Sequence, residues 1–275
     1  MFVMLPLRNP WLIIMISVFK SLNYAWRTRR AWWFTATSRT RARFARTALG
    51  SFWLGLSNLL SISALSLVYG TVFKVKDFGL YVVYLGTGLV IWNAIAAALT
   101  SAPALFEYNA NLIKNSNLNP VFYSLEEWAF QIQTFLQSLG LVLLVLSFFQ
   151  PTLLLHFFTV GFLPFINLIL FLYWLPLLVC LMGVRFPDLF QLIPIVVQLV
   201  FLLSPILYDK SNLGVMAWTA DINPLYRVLS PLRHALIQGD FKLGQSLVLL
   251  IVNLFGIWIS INLLNRMRQH LPFFV

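Results

Sequence analysis

The sequence predicts an all-α integral membrane protein with six transmembrane helices, and three observations carry that prediction. Sixty per cent of the 275 residues are hydrophobic and 10% are charged, with a mean hydropathy of +0.84. The apolar residues fall in runs long enough, at about 1.5 Å per helical residue, to cross a hydrocarbon core about 30 Å thick. The runs lack the period-two alternation that a membrane barrel requires. Such a composition excludes a soluble globular domain.

The first span, Leu49–Phe73, is 25 residues without a charge. The second is Gly79–Leu99. The third, Trp128–Phe149, starts after Glu126 and Glu127, which read as its solvated, helix-N-terminal beginning. The fourth lies within Leu153–Val184, at about 157–184, where Pro164 and Pro176 predict a kink or an interfacial first turn. Phe190–Tyr208 and Leu243–Leu264 are the fifth and sixth.

An even number of crossings places both termini on one side of the membrane. Residues 1–48 carry nine Lys or Arg and no acidic residue, and Lys114, Arg185, Arg266 and Arg268 bring that side to thirteen. Lys74, Lys76, Lys210, Arg227, Arg233 and Lys242 give the other side six. The positive-inside rule therefore puts both termini in the cytoplasm. Pro10–Phe19 is too short to span, and Arg27, Arg29 and Arg30 stand where a signal-peptide cleavage site would lie, so the segment reads as a retained interfacial stretch. The net charge of +11 follows from orientation, and no nucleic-acid partner is expected.

Between the spans, residues 101–127 form a cytoplasmic connection. Residues 209–242 form an external one, punctuated by Pro224 and Pro231 and too apolar for a free loop, as short re-entrant helices would be. On a helical wheel of Ala31–Ala48, Arg39, Arg43 and Arg46 share a face beside Trp33 and Phe44, and Arg41 lies off it. That pattern fits an amphipathic helix at the cytoplasmic surface, with arginines near lipid phosphates. Asn58, Asn93 and Gln198 are polar within spans and should face protein or water.

No phosphate-binding loop, metal-ligand cluster or nucleophile–base pair occurs in the sequence, and the single Cys180 excludes a disulfide framework. No catalytic residue, metal site or cofactor is expected in this chain. Ion-coupled carriers need ionisable groups within their spans, and here the span centres have none.

Four landmarks then resemble one family. They are RARFARTALGSFW (Arg41–Trp53), YLGTGLVIWN (Tyr84–Asn93), NANLIKN (Asn109–Asn115), and LLSPILY (Leu202–Tyr208) followed by INPLYRVLSPLRHALIQG (Ile222–Gly239). In order and spacing they resemble the membrane-spanning permease of ABC-2 type exporters, especially those moving O-antigen, capsule or teichoic acid. Two departures stand out. Leu118-Asn119 precedes Pro120 where the family has an aromatic residue, and Pro187-Asp188 replaces its Arg-Asp.

The resemblance implies a homodimer in the bacterial inner membrane, joined to two separate ABC ATPase subunits that bind ATP and Mg²⁺. It further implies a lipid-linked polysaccharide as substrate, with an undecaprenyl-pyrophosphate-linked glycan as the example. A segment at 105–120 would couple to the ATPase through Glu107, Asn111, Leu112, Ile113 and Lys114. Arg39, Arg43 and Arg46 would meet the substrate headgroup, and Trp53, Tyr69, Trp92 and Tyr208 would line the channel. Ser204, Pro205, Asn223, Pro224 and Arg233 would form an external gate, with Arg233 near the headgroups. A drug or small-lipid exporter permease remains an alternative. An undecaprenyl-dependent glycosyltransferase would need a carboxylate or His constellation that this sequence lacks.

Overall fold

The computed structural model describes residues 10–116 and 118–274, with side chains from residue 15 to 273, and every regular element among them is helical. The first nine residues of the predicted N-terminal segment lie outside the described residues, as does Asn117 of segment 105–120.

Two helices, α1 (Pro10–Arg27) and α2 (Arg29–Phe44), meet at Thr28. After a turn at Gly50, where φ is +56°, come α3 (Phe52–Val72) and α4 (Phe78–Ser101). The Asp77 carboxylate caps α4 by accepting from Leu80 N at 3.0 Å. A 3₁₀ turn at Ala102–Ala104 carries α4 directly into α5 (Leu105–Tyr108), so Phe78–Tyr108 is one run of 31 residues. There follow α6 (Ala110–Asn115), α7 (Val121–Leu146), α8 (Leu153–Phe158), α9 (Phe162–Arg185) and α10 (Leu189–Leu203). The last group is α11 (Trp218–Ile222), α12 (Pro224–Gln238), α13 (Leu243–Met267) and α14 (Leu271–Phe274).

The axis of the molecule is α4. Its apolar window is 72% buried, against 17% for α3, because α3, α7, α9, α10 and α12 all contact it. Lipid tails are as apolar as leucine, so helices in a bilayer are sorted by small residues and polar contacts. The α9–α13 pair shows how. Asn253 Nδ2 donates to Asn167 O at 3.0 Å, and Asn167 Nδ2 donates to Ser246 O at 2.9 Å. Trp174 Nε1 donates to Asn253 Oδ1 at 2.9 Å, and the indole lies so close that a Cβ on Gly256 would fall 2.4 Å from it.

The loops sort to two faces. On one, Ser21 Oγ donates to Asn265 Oδ1 at 2.8 Å, and Leu271 of α14 is buried with Phe106, Ile113 and Val121. On the other, Tyr81 Oη donates to Leu207 O at 2.7 Å, and Gln150 Nε2 donates to Ile237 O at 2.6 Å. The N-terminal helices and the end of α13 thus share a face, opposite the segment 204–242.

Among the described residues, five helices are long and apolar enough to cross a membrane. The predicted fifth span, Phe190–Tyr208, is instead the 15-residue α10, which at about 1.5 Å per residue covers about 22 Å. It stops because Ser204 is extended and Pro205 cannot donate to the helix ladder. The third helix begins at Val121, so Glu126 and Glu127 lie inside it and not at a solvated start. A break at Thr159–Gly161 separates α8 from α9, as the long fourth stretch predicted.

Replacing Asn253 with Leu removes the acceptor of Trp174 and the donations of Asn253 Nδ2 to Asn167 O and, at 3.3 Å, to Asn167 Oδ1, at a cost of about 1–3 kcal/mol. Thermal unfolding in detergent should therefore fall by several degrees for Asn253→Leu, and stay unchanged for Val252→Leu on the exposed side of the same helix.

Candidate functional site

The small residues Ala36 and Thr40, one turn apart, let α2 lie close against Ala129 and Phe130 of α7. Gln133 Nε2 donates to Thr37 Oγ1 at 3.0 Å and fixes the register. This docking sets Arg39 over the start of α7. Its Nη1 lies 2.6 Å from Glu127 Oε2 and 3.5 Å from Glu126 Oε1, and its guanidinium sits 4.1 Å from the centre of the Phe130 ring. The other carboxylate oxygen of Glu127 accepts from Gln131 Nε2 at 2.8 Å and from Ser101 Oγ at 3.3 Å. Partial burial alone would lower the pKa of Arg39, but Glu127 and then Glu126 outweigh it and hold that pKa above its ordinary value.

Arg39 and Glu127 stand at one end of a cleft of about 710 Å³ between α2, α3, α4 and α7. One wall is a polar stripe on α7, formed by Glu127, Gln131, Thr134 and Ser138. Those positions recur every three or four residues and so share a helix face. Facing them, Asn93 Nδ2 donates to Asn58 Oδ1 at 2.6 Å, and Asn58 Nδ2 donates to Ser138 Oγ at 2.7 Å. Arg43 lines the same cleft, whereas Arg46 lies beyond the end of α2 and is exposed. Hydroxyls and amides thus line the inside of an otherwise apolar bundle, with cations at one end. Such an arrangement suits an anionic or polyhydroxylic headgroup whose apolar tail stays in lipid.

A second cavity, of about 420 Å³, shares Arg39, Ser101 and Glu127 with the cleft and extends to Leu105, Tyr108, Asn109 and Leu112. The ion pair therefore stands where the two cavities meet. The segment 105–120, expected from the sequence to couple to an ATPase, adjoins this second cavity. It is not one helix, because Asn109 breaks it into α5 and α6 and turns its amide back to Leu105 O at 2.8 Å. Glu107, Asn111, Leu112 and Lys114 are exposed, but Ile113 is buried beneath α6 and cannot meet a partner. The largest exposed side chain here, Tyr108, was missed by the sequence reading.

The predicted gate residues do come together at the opposite face. Asn223 caps α12 by accepting from Leu225 N at 3.0 Å, and its Nδ2 donates to Ser204 Oγ at 2.6 Å. Arg233 is only 4% exposed, and so is not among headgroups. Its Nη1 donates to Pro205 O at 3.0 Å, its Nη2 to Tyr226 Oη at 3.1 Å, and its guanidinium lies 4.0 Å from the centre of the Tyr84 ring. A buried cation needs such acceptors and ring faces.

The four predicted channel aromatics are dispersed. Trp92 is core, 5.6 Å from Phe201; Tyr69 stacks on Phe73; Trp53 is exposed at the start of α3; Tyr208 faces an outer cavity of about 540 Å³. Gln198 is exposed on α10, unlike Asn58 and Asn93.

Residues 31–237 match the ABC-2 type transporter family. Across 231 residues the chain is 21% identical to the O-antigen export system permease protein RfbA of Klebsiella pneumoniae, which covers 83% of this chain and 88% of that protein. The family match takes in α2, the cleft, the segment 105–120 and almost all of α12. With five apolar helices of spanning length, the chain is a multi-pass membrane protein, and it belongs to the ABC-2 type transporter family.

Proposed function

We propose that this chain is the membrane-spanning permease subunit of an ATP-driven exporter, and that its substrate is a lipid-linked polysaccharide such as an O-antigen, capsule or teichoic-acid-like glycan. The observation that carries the reading is the polar cleft between α2, α3, α4 and α7, with Arg39 and Arg43 at one end. A pyrophosphate headgroup would enter beside Arg43, and the hydroxyls and amides of α3, α4 and α7 would accept its sugars. The likeness to an O-antigen export permease supports the substrate class.

In this reading the chain works as a homodimer in the bacterial inner membrane, with both termini cytoplasmic. α10 together with Ser204–Tyr208 completes a sixth crossing. Two ABC ATPase subunits bind ATP and Mg²⁺ and dock on the exposed side chains of α5 and α6. The segment 209–242 closes the outer end, with Arg233 as the pin that joins it to Tyr84 and Pro205.

The test is reconstitution with the cognate ATPase in lipid nanodiscs, with hydrolysis measured with and without lipid-linked glycan. Stimulation by the glycolipid supports the reading. A stable complex that responds only to small amphiphiles moves the assignment to a small-lipid exporter.

Arg43→Glu should lower export severalfold with normal assembly, whereas Arg39→Glu should lower both, because it sets a third carboxylate against Glu126 and Glu127 at a cost of about 1–3 kcal/mol. Transport assays and detergent gel filtration separate the two effects. Leu112→Asp with Lys114→Glu should leave folded protein at wild-type level and abolish the glycolipid stimulation of hydrolysis. Ile113→Asp should instead reduce the folded protein itself.

A further inference from the structure

A cavity on the face opposite the chain termini differs in character from the cleft. It measures about 490 Å³ and lies between α11, α12 and the first turns of α13. Three cations line it, Lys210, Arg227 and Lys242, against the single carboxylate of Asp221. That carboxylate is already engaged, with Lys210 Nζ 2.6 Å from its Oδ1. Arg227 Nε donates to the backbone carbonyl of the same residue. Three positive charges and one negative leave the wall at +2.

The rest of the wall is mixed, with the polar side chains of Tyr226, Ser230 and Gln245 beside Ala220, Pro231, Val248 and Leu249. Val248 and Leu249 line the cavity one to two turns into α13, and Leu247 and Val248 are exposed beside it. Because α13 turns apolar from Leu247, one turn past Lys242, the cations sit close to where this helix enters hydrocarbon. Like charges sharing a wall repel, and an anion placed among them turns repulsion into attraction. Phosphate suits this set, since lysine binds it as a point charge and arginine through its fork of N–H groups. A cationic rim beside the apolar Val248 and Leu249 also matches an anion that carries a hydrocarbon tail.

We propose that this cavity binds the phosphate of an anionic lipid in the leaflet opposite the chain termini. The assignment to the outer leaflet rests on the orientation given under the proposed function; the binding chemistry does not. A resident phospholipid and a prenyl-linked substrate arriving after transport both present the required group, a phosphate on a hydrocarbon chain.

The experiment uses the full-length chain alone in phosphatidylcholine nanodiscs. It is titrated with phosphatidylglycerol, with farnesyl pyrophosphate as the prenyl-linked phosphate, and with inorganic pyrophosphate as the tail-free anion. Bound ligand is counted by native mass spectrometry. At least one lipid phosphate should bind saturably. Lys242→Gln should weaken it about fivefold, the effect of one basic residue at a membrane surface, and Lys242→Arg should restore it. Tighter binding of farnesyl pyrophosphate assigns the site to substrate, and tighter binding of phosphatidylglycerol to resident lipid. Either outcome upholds the site.

Inorganic pyrophosphate binding as tightly as both lipids would overturn the lipid assignment. Equal affinity in wild type, Lys242→Gln and Arg227→Gln would overturn the site. The Lys242 side chain is exposed, so its substitution leaves the fold intact even if Arg227 proves structural. The assay needs neither ATPase nor glycan, so a failure of the export reading leaves its result unchanged.

Discussion

The carboxylate of Glu127 imposes the constraint on which the half of this structure around α1 and α2 depends. It sits on an apolar helix at a buried position, where an unpartnered charge is costly. Arg39, Gln131 and Ser101 satisfy it from three directions. Each partner has a structural consequence. Arg39 ties α2 to α7, Ser101 ties the end of α4 to the same point, and Gln131 starts the polar stripe of the cleft. One acidic side chain thereby determines where α2 lies and how the cleft is bounded.

The opposite face uses the inverse solution, a buried cation held by neutral groups. Arg233 is satisfied by a carbonyl, a phenol and an aromatic ring; among the described residues no carboxylate forms an ion pair with it, and Asp209 acts on it only at longer range. Its partners come from α4, α12 and the stretch after α10, so the guanidinium gathers three chain segments that are distant in sequence. A neutral acceptor set carries no counter-charge, and it holds the cap without an ion pair.

Much of this architecture was legible from hydropathy and charge. The long apolar runs are helical, though the third begins seven residues earlier than expected and the fifth stops five residues sooner. The residues expected to form a gate meet through Asn223 and Pro224, whose capping chemistry is local. What the sequence hid was pairing across the fold. Arg39 and Glu127 are 88 residues apart, and each looked like an independent surface charge, so the arginine was assigned to headgroups and the carboxylate to solvent. Yet the polar stripe of α7 was readable, because Glu127, Gln131, Thr134 and Ser138 recur at helical spacing inside an apolar run. The length of α10 was harder to foresee, since the apolar run continues past the residue where the backbone turns extended. Ile113 misled because a six-residue helix gives too few positions for its buried face to show.

The unbroken run Phe78–Tyr108 has a mechanical meaning. At about 1.5 Å per residue it measures about 47 Å, well beyond the hydrocarbon thickness. Tyr81 and Tyr84 hold one end to the backbone of Leu207 and Tyr208, and Tyr108 projects from the other. Its middle is packed on most sides and opens only toward the cleft, along Asn93 and Ala97. A rod so confined transmits force along its axis better than it bends, and its weakest joint is the 3₁₀ turn at Pro103, where Gly183 lies close against it. A push on Tyr108 would therefore either swing that joint or shift the whole rod against the cap.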